Sequence, residues 1–557
     1  MNRPSLRIAA LSHVSRRLRR LQLSLAQATL VLLTAVACLG RCYAQTDGVD
    51  IQRGLTAHWP EVAAPFDMPA SDAPQFGTGE FSVAMWMQSD EVDDKLPGDL
   101  LSQYDSARRR GFHVTLKCNP GVASNQANWR HLQFGIDDDR VSPWRDCGRP
   151  GNAILAFAMA VHDGVLYAGT CEPGPRESGR VYRYDDSGHR WLDCGAPDRS
   201  NAVTALAVHQ GQLFAGTGKY RLAGSALPES ENTVLGGRVF RFEGDNRWTD
   251  CGQLPDTEAV GGLIVYRGLL YASSLYRPAG FFCHEGQSNW RALPVPERMD
   301  PTTSALVPQR VEALTVYDGY IYASSYDGGH VYRFDGQQWS DCGQLGDNTQ
   351  TYSFAQYAGH LHTGTWPSGR VYRWDESTSG WADAGRLGEE REVMGMLVHN
   401  GRLIAGTLPL AEVYSFEGGD TWKRLGRLDN TPDVTYRRVW TMAEHAGEVF
   451  CSTLPSGHVY AFSAGRQVAW EQALSSDWHH VAAIKSTDRL SLYVDGHLVA
   501  ETAAFDANSY NLENSVPLRI GNGANGRWHG QLRDVRVYRV ALSAAEIAAL
   551  ATVQPNR

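Results

Sequence analysis

The chain has 557 residues, of which 43% are hydrophobic and 20% charged, with 56 glycines, 16 tryptophans and 23 tyrosines. That length allows about three average domains, and a formal net charge of −9 argues against nucleic acid as a partner, because neutralising phosphates takes a basic surface. Few segments carry helical periodicity, so the chain reads as all-β.

Residues 1–44 read as a secretory signal peptide. Arg3, Arg7, Arg16, Arg17, Arg19 and Arg20, with no acid among them, precede the apolar run "ATLVLLTAVACLG" (28–40), and Cys42-Tyr43-Ala44 offers a small-x-small cleavage site before Gln45. An uncleaved anchor is the alternative, although the run is short for a membrane span. No later stretch is apolar enough to cross a bilayer. Cleavage removes seven arginines and takes the formal charge to −16. The expected location is periplasmic, cell-surface or extracellular.

Residues 45–143 hold strand-like segments, among them "GLTAHWP" (54–60), "FGTGEFSVAMWMQ" (76–88), "GDLLSQYD" (98–105) and "RGFHVTL" (110–116). Residues 144–466 are organised by a repeat. Seven segments each carry an apolar run, a tight turn ending in Gly, an element such as "VLYAGT" (165–170) or "RLIAGT" (402–407), and an element such as "GRVYRY" (179–184) or "GHVYAF" (457–462). Turns such as Asp163-Gly164, Asp318-Gly319 and Asn400-Gly401 mark hairpins between the first two elements. Four short antiparallel strands per repeat predict the blades of a seven-bladed β-propeller.

The fourth strand carries Trp191, Trp248, Trp290, Trp339, Trp381 or Trp422, which is one too few for seven blades. The fragment Trp144-Arg-Asp-Cys-Gly148 matches that strand and has no blade of its own. It is expected to be the outer strand of blade seven, delivered from the N-terminal side to close the ring. Trp470 is the rival for that place. Cys147, Cys194, Cys251 and Cys342 share one repeat position, occupied elsewhere by Leu293, Ala384 or Leu425. A site that accepts Cys, Ala or Leu favours buried free thiols over disulfides.

Residues 467–557 contain "DWHHVAAIKSTDRLSLYVDGHLVAE" (477–501), "LRIGNG" (518–523) and "GQLRDVRVYRVALSAAEIAAL" (530–550). These segments resemble the laminin-G-like, concanavalin A-like jelly roll, with Ser543-Ala-Ala-Glu546 as a capping box opening a short terminal helix. The segments of 45–143 resemble its first half. Together the flanks predict one β-sandwich interrupted at a hairpin tip by the propeller, which is expected to leave the sandwich beneath blade seven. The turns "DSGHRW" (186–191) and "SFEGGDTW" (415–422) resemble the Asp-box of sialidase-type propellers, a turn-stabilising device, with Glu417 replacing Asp.

Catalytic patterns are scarce. A Glu-x-Asp-x-x-Glu strand, whose alternating carboxylates serve glucanases of the concanavalin A-like group, has only "EVDDKL" (91–96) as a counterpart. Arg180, Arg238 and Arg370 recur by repeat symmetry and read as outward-pointing blade residues. The laminin-G resemblance implies calcium, for which Asp137, Asp138 and Asp139 are the candidate ligands. A solvated acidic turn is the other reading of that triplet, and Arg533 stands where the family's pattern has Asp.

Long loops (218–236, 294–310, 429–438) share one rim of the ring, and such loops in compact β folds carry function. They bring Tyr220, Arg221, Tyr276, Arg298, Tyr326, Trp366, Tyr436 and Arg437 to one mouth. Aromatic faces with Arg suit carbohydrate, or equally a surface protein. The expectation is an exported, monomeric binding or adhesion protein, with the jelly roll as a second binding module. A glycan-acting hydrolase or lyase working in the channel is the alternative.

Overall fold

The structure, a computed structural model, describes residues 49–300 and 302–553; the signal peptide expected at 1–44 lies outside them. The fold is all-β: a concanavalin A-like sandwich and a seven-bladed propeller. No helix among the described residues is long and apolar enough to cross a membrane.

Two six-stranded sheets make the sandwich, and each mixes strands from both ends of the chain. In one, Phe81–Ser89 lies between Gly530–Tyr538 and His479–Lys485. In the other, Gly98–Asp105, Arg110–Asn119, Asn128–Val141 and Ala464–Trp470 follow in order. Alternate residues of these strands, including Phe81, Val83, Phe112, Phe134, Leu492 and Val535, meet in a common core, the period-two burial that a two-layer sheet requires. The chain leaves the second sheet after Val141, which pairs with Ala464, where it returns. Trp470 pairs with Leu132 in that sheet and so has no part in the propeller. The terminal helix Ala544–Thr552 opens on the expected capping box of Ser543 and Glu546.

Between those points stand seven four-stranded antiparallel blades, the first two joined into one sheet where Ala202 pairs with Cys171. Blade one shows the plan: Leu155–His162 innermost, then Val165–Cys171, Val181–Asp185 and Arg190–Asp193. Its first hairpin turns on Asp163 and Gly164, both at positive φ (49° and 73°), as a two-residue turn matched to strand twist demands. Blade seven comprises Arg438–His445, Glu448–Leu454, Val459–Phe462 and, from the N-terminal side, Arg145–Asp146. Asp146 pairs with Tyr460 and Arg145 with Ala461.

Side chains carry the closure around the whole ring. Each fourth-strand indole donates its Nε1–H to a carbonyl of the preceding blade: Trp191 to Cys147, Trp248 to Cys194, Trp290 to Cys251, Trp339 to Pro294, Trp381 to Cys342 and Trp422 to Ala384. Trp144 completes the circuit by donating to Leu425 at 3.3 Å. An exposed pair also recurs, joining third strand to fourth: Arg180–Asp193, Arg238–Asp250, His330–Asp341, Arg370–Asp383 and, across the closure, His458–Asp146. The eight cysteines among the described residues are free.

The sandwich spreads across the lower rim rather than hanging beneath blade seven alone. First hairpins of six blades bond to it. Gly164 and Ala446 donate to Glu471, Arg267 to Asp93, Gly319 to Asp94, Ala358 to Ala524, and Asn400 to the carbonyls of Ile136 and Ala464. The acids of the two Asp-box-like turns bear on this junction too, Glu417 directly and Asp186 through His445, which also bonds Glu471 of the sandwich. Asp186 accepts from His445 at 3.0 Å, while Asp185 holds its turn, and Glu417 pairs with Arg109 of the sandwich.

Candidate functional site

The first strands of the blades line the central channel. Counting back five residues from the His or Tyr that ends each run brings one position of every blade to the axis: Phe157, Thr204, Gly261, Glu312, Tyr352, Met394 and Trp440. Two residues earlier stand Leu155, Ala202, Ala259, Arg310, Gln350, Glu392 and Arg438. The axis is therefore lopsided: blades one to three present only apolar or small residues, whereas blades four to seven each add a strongly polar or charged one. Segment 218–237 folds over the small side. Tyr220 packs against Phe157 and Trp440, with ring centroids 5.0 and 5.7 Å away. Its hydroxyl lies 2.7 Å from Ser225, whose oxygen accepts from Arg438 at 2.6 Å.

What remains at the mouth is a cavity of about 430 Å³, within the range that holds small-molecule ligands. Phe157, Tyr220, Tyr276, Tyr326, Tyr352 and Trp440 supply its aromatic wall. Its charged side chains all have partners. Arg438 bonds Glu392 at 3.0 Å, Arg310 bonds Asp327 at 2.8 Å, Arg221 bonds Glu258 at 2.5 Å, and Glu229 meets Lys219 at 3.2 Å. The first of these pairs is buried, where breaking it would strand a charge. Arg221 also lies over the Tyr276 ring at 4.4 Å, a cation–π contact.

Glu312 lies behind Tyr326, fully enclosed, and its Oε2 has no hydrogen-bond partner. Burial pushes its carboxyl up to about 8, so it keeps its proton at neutral pH.

The lower end of the channel is closed by the sandwich. Residues 120–127, the turn between Arg110–Asn119 and Asn128–Val141, are all buried inside the ring. Their backbone accepts from Phe354 (to Gly121), Thr315 (to Pro120), Thr441 (to Val122) and Val161 (to Ala127), while Gln126 donates to Leu206. Five of the seven blades are engaged in this way. At its apex Ala123 joins the same apolar cluster as Phe157, Tyr352, Met394 and Trp440.

Of the residues expected at the mouth, Tyr220, Arg221, Tyr276 and Tyr326 line the cavity. Arg298 lines a smaller neighbouring pocket of about 360 Å³ with Arg277 and Asp327, which shares Tyr326 and Gln350 with the first. Trp366 and Tyr436 meet edge to face at 6.0 Å, and Trp366 packs on the mouth's apolar cluster rather than lining it. Arg437 turns aside, its Nε donating to the carbonyl of Thr431, and ties down its own loop. Arg310, just ahead of blade four's inner strand, and the inner-strand residues Gln350, Tyr352, Glu392, Met394, Arg438 and Trp440 also line the cavity, beyond the residues expected from the loops. Aligning the seven apolar runs would have marked them.

The expected calcium ligands do not form a cage. Asp137 is buried and accepts from both Arg402 and Tyr104, Asp138 pairs with Arg110, and Asp139 pairs with Arg109 and Arg402. Arginines already neutralise the three carboxylates, and among the described residues no cluster of three or more His, Cys, Asp or Glu is arranged to hold a metal ion.

Residues 427–548 match the family described as the Concanavalin A-like lectin/glucanases superfamily. That match covers the later strands of the sandwich and part of blade seven. Among solved structures, the chain is similar to virginiamycin B lyase from Staphylococcus aureus at 7% identity, over 58% of this chain and 99% of that one, with a TM-score of 0.45. YCF48 from Cyanidioschyzon merolae aligns at 12% identity over 58% and 99%, with a TM-score of 0.41. No curated protein sequence matches.

Proposed function

We propose that this is an exported binding protein that takes carbohydrate in the upper mouth of the propeller, with the sandwich, built from both flanks of the propeller, adding a second contact. The observation that carries this reading is the cavity: six aromatic side chains around a small, open-mouthed space, with charges paired beside it. Aromatic faces stack on the C–H faces of sugar rings, while Gln350 and the paired Arg and Glu groups remain able to meet hydroxyls. The deciding experiment is a glycan array probed with the mature chain, beside the variants Tyr276→Ala and Gln350→Ala. Loss of about 1–3 kcal/mol of binding, the scale of a truncated aromatic anchor, is expected for Tyr276→Ala. Unchanged binding by both variants would place the site elsewhere.

A glycan-acting hydrolase or lyase is the second reading. Glu312 favours it, because a buried carboxyl that keeps its proton at neutral pH is what a general acid needs. Turnover of array-positive glycans that disappears in Glu312→Gln while binding persists would establish it.

A further inference from the structure

The site on the propeller is a blind pocket. Its lower side is filled by residues 120–127, held by hydrogen bonds to blades one, two, four, five and seven. Its upper side is narrowed by Tyr220 and the short 3₁₀ turn Leu222–Ser225, anchored to Arg438. A polymer cannot run through such a space, since only a chain end can enter it. At the inner end Trp440, which lines the cavity and is 3% exposed, has an enclosed Nε1–H with no hydrogen-bond partner. An enclosed polar group without a partner is costly, and a hydroxyl reaching it would supply the missing bond. The charged side chains of the wall, by contrast, are already matched in pairs. An ionised ligand would find no free counter-charge and would have to break a pair to obtain one.

Building on the carbohydrate reading above, we infer that the mouth recognises the uncharged terminal residue of a glycan, inserted end-on, with its outer hydroxyls directed at the Nε1–H of Trp440 and at Gln350. Internal stretches of a glycan are excluded by shape, and acidic termini by the lack of an unpaired cation in the wall.

The test uses the full mature chain on an array of neutral glycans attached through their reducing ends. Each is printed in three forms: with a free terminal residue, with that residue closed by a bulky acetal, and with that residue extended by sialic acid. The free form is expected to bind, and both modified forms to fall at least tenfold. Tyr276→Ala and Gln350→Ala should lower the free-form signal. Binding that survives the acetal or the sialic acid overturns end-on recognition of a neutral terminus while leaving the carbohydrate reading in place. Binding that ignores both substitutions overturns the placement of the terminus in this pocket. Absence of signal from every glycan in every form overturns both readings.

Discussion

Glu312 stands where the other six blades put Phe157, Thr204, Gly261, Tyr352, Met394 or Trp440, and it is the one acid of that ring. Burial holds its carboxyl near 8 against an ordinary 4.5. The folded state therefore keeps a proton that the unfolded chain releases, and the cost to stability grows as pH rises from 4.5 to 8. Glu312→Gln removes that cost. The variant should melt above the parent at pH 8 and together with it at pH 4, as scanning calorimetry at both values will show. Trp366 and Tyr436 brace the wall without facing the cavity, so alanine at either should weaken glycan binding less than Tyr276→Ala does. His529→Ala on the sandwich serves as the neutral control. Residue identity made some of this legible: the aromatic and Arg content of the long loops pointed to the rim where the cavity opens. The triplet Asp137-Asp138-Asp139 misled because its deciding partner, Arg402, lies 265 residues away in sequence. No local pattern distinguishes a cation cage from three carboxylates awaiting arginines.

Among elements, the two-residue strand Arg145–Asp146 does the most for its length. It was legible because the repeat supplied six templates for a Trp-x-Asp-Cys-Gly-like strand and one vacancy. The indole of Trp144, the residue leading into it, packs on Phe462 at 4.3 Å and completes the ring of Nε1–H bonds. Trp144→Phe, which keeps most of the packing and loses one hydrogen bond, should cost about 1 kcal/mol. Trp144→Ala should cost about 2–4 kcal/mol, toward the lower part of the range for large aromatic truncations because the ring is half-buried. Urea unfolding curves measure both, and a cost below that of Trp470→Ala would contradict the closing role. The channel-filling turn 120–127 shows the opposite case. "PGVASNQA" has the small and turn-forming residues of any solvent-exposed hairpin end, and its burial is decided by the shape of a ring built much later in the chain.

At the scale of the molecule, the junction between sandwich and propeller is held by buried charge. Glu444, on blade seven, accepts from His399 at 2.8 Å and Asn119 at 2.8 Å and lies 3.9 Å from Lys117. Burial alone would raise its carboxyl, but Lys117 and the His399 bond hold it down at about 2. Its stabilisation is present above pH 4.5 and is lost as pH falls towards 2. His445 behaves in mirror fashion. Burial opposes its charge, yet Glu471 at 2.7 Å and Asp186 at 3.0 Å raise it to about 10. That contribution is complete below pH 6.5 and disappears as pH climbs through 10. His445→Gln should therefore flatten the alkaline limb of a melting-temperature profile, and Glu444→Gln the acid limb. If neither limb changes, these pairs do not govern the junction. The architecture was readable from repeats and flanking strands, whereas the breadth of this junction was not, since its hydrogen bonds join hairpin turns to loops with no shared sequence pattern.

The return of the chain at Ala464, to pair with Val141, sets an order on synthesis. Phe81–Ser89 emerges from the ribosome early, but both of its neighbouring strands belong to the last hundred residues. At roughly 5–20 residues per second, translating residues 142–463 leaves its two edges without partners for roughly 15–65 s. Throughout that interval the nascent chain presents an apolar strand with free edges, the form most prone to pair with a stranger. A chaperone that shields residues 55–141 until the last strands arrive is the expected companion of biosynthesis. A fragment ending at residue 463 should collect in the insoluble fraction, and supplying 464–553 as a separate chain should return it to solution.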